Sequence, residues 1–134
     1  MRYILLAAFL AAAAPTPAQA GPGDIRTQSV EELKKTAADL EEAVKQQPEN
    51  AELYIKLGFT YTRLERADDA MKAFENAARL APARAITHYM LGLIYEKKGL
   101  KDKAIAAWTA CLQNAVEPHL RETARKHLHC LSAD

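Results

Sequence analysis

From Ser29 to Leu131 apolar residues recur three and four positions apart, the spacing that gathers side chains on one face of a helix. Leu33, Ala37, Leu40 and Val44 share one such face. Ser29 with Glu32 three residues later is the reciprocal capping signature of a helix start. This first helix is expected over residues 29–47, ending before Pro48, whose ring cannot continue it. The pattern stays helical to the end of the chain and predicts an all-α fold.

The pattern also repeats. Residues 51–84 laid over residues 85–118 align Leu57 with Leu91, Gly58 with Gly92, Tyr61 with Tyr95, Ala70 with Ala104 and Phe74 with Trp108, so every pair shares one offset. An offset of about 34 positions is the length of a helix-turn-helix repeat unit. Gly58 and Gly92 each fall inside an apolar-periodic run, where glycine costs about 1 kcal/mol of helix propensity against alanine. Close approach of a paired helix is the expected compensation. Ala70, Ala77 and Ala104 are the small residues that would permit it, with Tyr61 beside Phe74 and Tyr95 beside Trp108 filling the flanks. Gly99 stands past its run, where a left-handed helix terminator is wanted. One hairpin of this size cannot bury its faces alone, so the units must stack.

These residues resemble the tetratricopeptide repeat family. The first copy carries the family marks at Tyr54, Leu57, Gly58, Tyr61, Ala70, Phe74, Ala77 and Pro82, with Tyr54 where Trp is commonest. The second keeps Leu91, Gly92, Tyr95, Ala104 and Trp108, while His88, Cys111 and Val116 depart from the pattern. Run backwards, the register puts Leu40, Ala43 and Pro48 at second-helix positions of an earlier repeat whose first helix is missing, its place taken by the leader. Run forwards, Leu120, Ala124, Leu128 and Leu131 keep helical spacing without the Gly and Tyr marks, as a capping helix would. The resemblance implies an α-solenoid of two helix pairs (residues 51–84 and 85–117) flanked by one N-terminal helix (29–47) and one C-terminal helix (118–131).

It also implies where a partner binds, because first helices of this family line a concave groove. Counting about 100° per residue from Tyr54 puts Leu57, Gly58, Tyr61 and Leu64 toward the paired helix, with Ile55 and Phe59 on the far side. Counted the same way from His88, Ile86, Tyr89 and Leu93 fall on the far side of the second copy. Ile55, Phe59, Ile86, Tyr89 and Leu93 are therefore the expected apolar trough, edged by Arg63 and Lys97, for a peptide segment or amphipathic helix of another protein. Packing between repeats competes for the same arc. Some chaperone-binding members of the family hold a C-terminal carboxylate with a cationic clamp. Ile55, Phe59, Tyr89 and Leu93 occupy the matching positions here, which disfavours that mode.

Ahead of the repeats the chain changes character. Arg2 is followed by the twelve-residue apolar run Tyr3–Ala14, then Pro15 and Pro17, then Ala18-Gln19-Ala20 with small residues where a signal peptidase reads. A spanning helix needs roughly 20 apolar residues, so residues 1–20 are expected to be a cleaved secretory signal rather than a membrane anchor. Gly21 follows the cut, with no Cys there to carry lipid. Residues 21–28, opening Gly21-Pro22-Gly23-Asp24, then form a flexible leader to an exported, periplasmic or secreted chain. The precursor has 18 Lys and Arg against 17 Asp and Glu; losing residues 1–20 removes Arg2 and no acid, leaving a net charge of zero. Nucleic acid is not an expected partner, because that affinity rests on many cationic phosphate contacts.

Candidate chemistry is sparse. No nucleophile elbow, phosphate loop, zincin motif or dinucleotide turn occurs, so a non-enzymatic protein with no cofactor is expected. Cys111 takes an alanine position and reads as a buried thiol. Cys130 lies ~13 to 14 Å further along the fold-back helix, beyond the ~7 Å Cα limit for a bridge. His127 and His129 point about 200° apart on a helix, and His127 with Cys130 would supply two ligands where zinc usually takes three or four. These histidines, with Lys126, are expected to favour the negative end of the helix dipole. Envelope or secretion scaffold is the leading reading. A homo-oligomer, such as a homodimer using the same groove, and a small metal- or redox-active protein are the alternatives.

Overall fold

The computed structural model describes residues 28–133, which form six helices and, among the described residues, no strand. They are α1 (Val30–Gln46), α2 (Ala51–Arg63), α3 (Ala67–Leu80), α4 (Ala85–Lys97), α5 (Lys101–Asn114) and α6 (Pro118–Ser132). Each packs on the next in the chain, and α4 also meets α6. The result is an all-α solenoid of two hairpins, α2–α3 and α4–α5, between single flanking helices. The expected signal and all but the last residue of the leader lie outside the described residues. None of the described helices is long and apolar enough to cross a membrane.

Local chemistry sets the helix ends. Ser29 Oγ accepts from the Glu32 N–H at 3.3 Å while the Ser29 N–H donates to Glu32 Oε2 at 2.7 Å, closing the capping box of α1. The serine contacts hold the Glu32 carboxyl below its usual range. Asn50 caps α2 through its side-chain oxygen, and Pro118 opens α6 where its missing N–H costs nothing. The hairpin turns repeat as well. Arg66 N–H reaches Tyr61 C=O at 2.9 Å, and Leu100 N–H reaches Tyr95 C=O at 2.8 Å, each closing a helix end behind a left-handed residue. In the second turn that residue is Gly99 at φ 71°; in the first it is Glu65 at φ 57°, which has a Cβ to accommodate.

Inside each hairpin an aromatic ring lies flat against a glycine. A Cβ on Gly58 would stand 2.7 Å from ring carbons of Phe74, and one on Gly92 2.5 Å from the indole of Trp108. Ala70, Ala77 and Ala104 are buried beside these rings, as the spacing predicts. The edge contacts fall elsewhere than expected. Phe74 meets Phe59 at 5.3 Å and 86°, and Trp108 meets Tyr89 at 5.4 Å and 90°. Edge-to-face rings of this kind add about 0.5 to 1.5 kcal/mol beyond their buried area.

Tyr61 and Tyr95 instead reach across to the preceding helix. Tyr61 hydroxyl donates to Glu41 of α1, and Tyr95 hydroxyl donates to Glu75 of α3 at 2.7 Å. Both donors and both acceptors are one repeat apart, so the same lock joins α1 to α2 and α3 to α4. Cations cover the rings: Arg66 lies 4.5 Å from the Tyr61 ring centre and Lys103 Nζ 5.5 Å from that of Tyr95. Burial, then the carboxylate partner, pushes both phenols well above their ordinary range.

Gly92→Ala should destabilise the fold more than Gly58→Ala. Overpacking costs about 1 to 3 kcal/mol, against about 1 kcal/mol regained in helix propensity, and the indole is both nearer and larger; thermal melts of the two variants check the order. The raised phenol values make the folded chain hold protons that the unfolded chain releases above pH ~10. Stability from this source is therefore complete below that pH and is lost as pH rises beyond it. Urea titrations across that interval should show a fall that the Tyr61→Phe, Tyr95→Phe double variant lacks.

Candidate functional site

α4 is the central element of the groove side, packed on α3, α5 and α6, and this sets how much of it can face outward. Leu91, Gly92 and Tyr95 are buried with Ile94, while Ile86, Tyr89, Met90 and Leu93 keep partial exposure. Lys97 at the last turn of α4 and Arg63 at the last turn of α2 are both exposed. The two cations are one repeat apart, so they hold equivalent places in the two hairpins.

The sequence-predicted residues do not all gather in one place. Leu93 and Lys97 line a cleft of about 560 Å³ with Thr62, Glu65, Ala67, Met90 and Ile94, between the end of α2, its turn into α3, and the face of α4. Phe59 and Tyr89 are half-buried, each set edge-on against its hairpin's core ring. They brace the core with one side and keep the other partly exposed. Ile86 is half-buried at the start of α4. Ile55 is a correction: expected in the trough, it is 5% exposed. A first helix in a stack can spend part of its outer arc on packing, and Ile55 is on the buried part. Of the repeat marks, Tyr54 is half-buried and Pro82 exposed in the α3–α4 turn; Leu57, Gly58, Tyr61, Ala70, Phe74, Ala77, Leu91, Gly92, Tyr95, Ala104 and Trp108 are buried.

α6 brings a residue that the groove prediction leaves out. His127 stacks on Trp108 at 4.2 Å and 17°, and its Nδ1 lies 2.7 Å from Glu96 Oε2. It thus anchors α6 on α4 and α5, in place of the dipole-facing role that its sequence position suggests. The repeat register carries a signal for it, since Phe59, Leu93 and His127 hold the same place in successive units. His129 remains in the last turn of α6, where the dipole favours it. Trp108 is fully buried, and its indole N–H has no partner among the described residues. Met90 and Thr62 are also missing from the predicted trough. Counted at about 100° per residue, Thr62 and Met90 fall on opposite edges of the arc that holds the predicted trough.

Among the described residues, reactive groups do not converge. Cys111 is fully buried and Cys130 exposed, both as free thiols, and burial raises the Cys111 thiol above its ordinary range. Among the described residues no three His, Cys, Asp or Glu side chains stand together to hold a metal ion. The cross-hairpin ion pairs, Arg84 with Glu52 and Lys98 with Asp68, are largely exposed and contribute little each. Lys98 holds the Asp68 carboxyl below its usual range.

Two stacked helix hairpins of equal length, each closed by a glycine under an aromatic ring, define an α-helical repeat protein. Residues 51–84 and 85–115 match the tetratricopeptide repeat family model, so the two hairpins are tetratricopeptide repeats. Over 54 residues, 40% of this chain, the sequence is 43% identical to the cytochrome c-type biogenesis protein CycH of Pseudomonas aeruginosa. The chain spans 13% of that relative's length. The fold is similar to that of PcrH in complex with the chaperone binding region of PopD, with TM-score 0.68, 14% identity, and 77% of this chain and 80% of that one covered. It is also similar to MamA, with TM-score 0.60, 24% identity, and 75% and 67% covered.

Phe59→Ser with Tyr89→Ser removes both edge contacts, so the double variant should lose about 1 to 3 kcal/mol from those contacts alone. Leu93→Ser should cost less, because Leu93 lines the cleft. Denaturant melts of the two variants check this, and equal losses would place Leu93 in the core.

Proposed function

We propose that the protein is an exported, non-catalytic interaction module that holds a peptide segment or amphipathic helix of another envelope or secretion protein against α2 and α4. The observation that carries this reading is the cleft beside Leu93 and Lys97, where apolar side chains and a cation remain outward on a helix whose opposite face is packed. Half-buried Met90, Leu93 and Ile86 supply apolar surface, and Arg63 and Lys97 a basic edge at matching places in the two repeats. Large apolar surface beside charge is a common form of protein-binding site. The names of two similar proteins lend support: one structure pairs PcrH with a region of PopD, and CycH is named for cytochrome c-type biogenesis. Residues 1–20 supply the export step in this reading, and the mature chain works in the periplasm or outside the cell.

Crosslinking in the intact envelope should capture one defined partner chain. Leu93→Glu with Lys97→Glu should reduce that capture at least tenfold while the melting temperature stays within a few degrees. Undiminished capture by this folded variant would refute the groove. A mass that doubles with concentration and returns to the monomer in the same variant would assign the groove to self-association instead.

A further inference from the structure

The two halves of α6 are held by different means. In the first half Arg121 Nη1 donates to the carbonyls of Leu112 and Ala115 at 3.0 Å each, and Leu120 and Ala124 are buried in the core. From Arg125 onward no described residue is buried. Arg125 and Lys126 pair with Glu122 of the same helix, and Ser132 bonds back to His129. Among the described residues, the one polar contact from this half to another helix is His127 with Glu96.

The apolar seat of this half is incomplete as well. Leu128 and Leu131 are half-buried, and a cleft of about 200 Å³ lies between Leu131 and Glu96, Gly99 and Lys101. The end of α6 therefore does not close on the α4–α5 turn. His127 stands three residues after Ala124 and four before Leu131, so all three share the face that meets α4 and α5. Releasing His127 thus loosens Leu131 one turn further on. The ring of His127 stacks on Trp108, whose indole N–H has no partner among the described residues, so uncovering the indole breaks no hydrogen bond there. A segment with few buried contacts opens locally while the rest of a structure stays folded.

We infer that residues 125–132 form a latch: this half of α6 lifts from α4 and α5 as one unit, hinged near Ala124, and His127 is its catch. Closed, the catch covers the Trp108 indole and engages the Glu96 carboxylate. Open, it gives up both, so a flat aromatic face and an unengaged carboxylate become available at the α6 end of the stack. The latch thereby switches what this end presents to a ligand, with no change required in α2 or α3. The device rests on the packing of α6 and does not depend on the function proposed for the cleft at Leu93 and Lys97.

The test is amide hydrogen exchange in the full chain, read residue by residue, with the fluorescence of Trp108, the one tryptophan of the chain, as a second reporter. Amides of residues 128–132 should share one protection factor, about tenfold or more below that of residues 91–95. Low urea should hardly change it, because little surface is exposed by the opening. His127→Ala should lower the shared factor about fivefold, leave the α2 amides unchanged, and make Trp108 about twofold more sensitive to acrylamide quenching. Glu96→Gln keeps an acceptor and loses the charge, so it should act in the same direction by a smaller factor; it serves if His127→Ala lowers the helix content. Protection that falls steadily toward Ser132 is ordinary fraying and overturns the inference. So does protection at 128–132 equal to that of residues 91–95, or a shared value that neither variant changes.

Discussion

Everything in this structure depends on two contacts between a glycine and an aromatic ring. Phe74 lies where a Cβ on Gly58 would be, and Trp108 where a Cβ on Gly92 would be. Glycine in a helix interior is unfavourable by about 1 kcal/mol, and an aromatic side chain of about 150–250 Å² buried completely more than offsets it at about 25 cal/mol per Å². The exchange works only if the two helices of a hairpin come close along one line, which fixes their crossing. Once that line is set, the outer arc of α2 and α4 is set too, and with it the side of the molecule where a cleft can form.

Repetition then turns a local contact into an extended object. Equivalent atoms recur in each unit: Glu41 and Glu75 accept from Tyr61 and Tyr95, and Glu65 and Gly99 turn the chain. The tyrosine locks act between hairpins where the rings act within them, so the two sets of contacts fix different angles. The second copy carries a variation with a consequence. Tryptophan in place of phenylalanine buries an indole N–H without a partner among the described residues, a cost of about 1 to 3 kcal/mol. It also offers a broader plane, and His127 stacks on that plane while reaching Glu96. The larger ring is thus what gives α6 a place to dock.

The parts of the fold legible in the sequence are those governed by spacing. The helix pattern, the capping box at Ser29 and Glu32, the left-handed Gly99 and the glycine-centred hairpins all follow from residue types at fixed offsets. The ring partners do not follow, because angles counted on one helix say which side a residue faces and not which neighbour it meets. Angle counting assigns Phe59 and Tyr89 to the groove, yet each also completes an aromatic pair in the core. Ile55 shares the register of Tyr89, yet it is buried where Tyr89 is half-buried, a difference that counting angles on one helix does not foresee. Local spacing leaves His127 as a weak metal ligand or a dipole partner. Its role depends on Glu96 of α4 and Trp108 of α5, two separate helices that no motif within α6 could bring in.

The double duty of Phe59 and Tyr89 constrains how any groove on this scaffold can evolve. A residue that braces the core with one edge and faces outward with the other cannot change identity without disturbing the ring behind it, since interiors pack at crystal-like density. In the function proposed above, discrimination between ligands would therefore rest on Leu93, Met90, Arg63, Lys97 and Thr62, which have no ring to brace. Two of these are cations at the same place in successive repeats, and their charge can change at small cost because neither is buried. A repeat of this kind separates a fixed floor, held by glycine and aromatic rings, from a variable rim, and the separation lets one architecture present different surfaces without loss of stability.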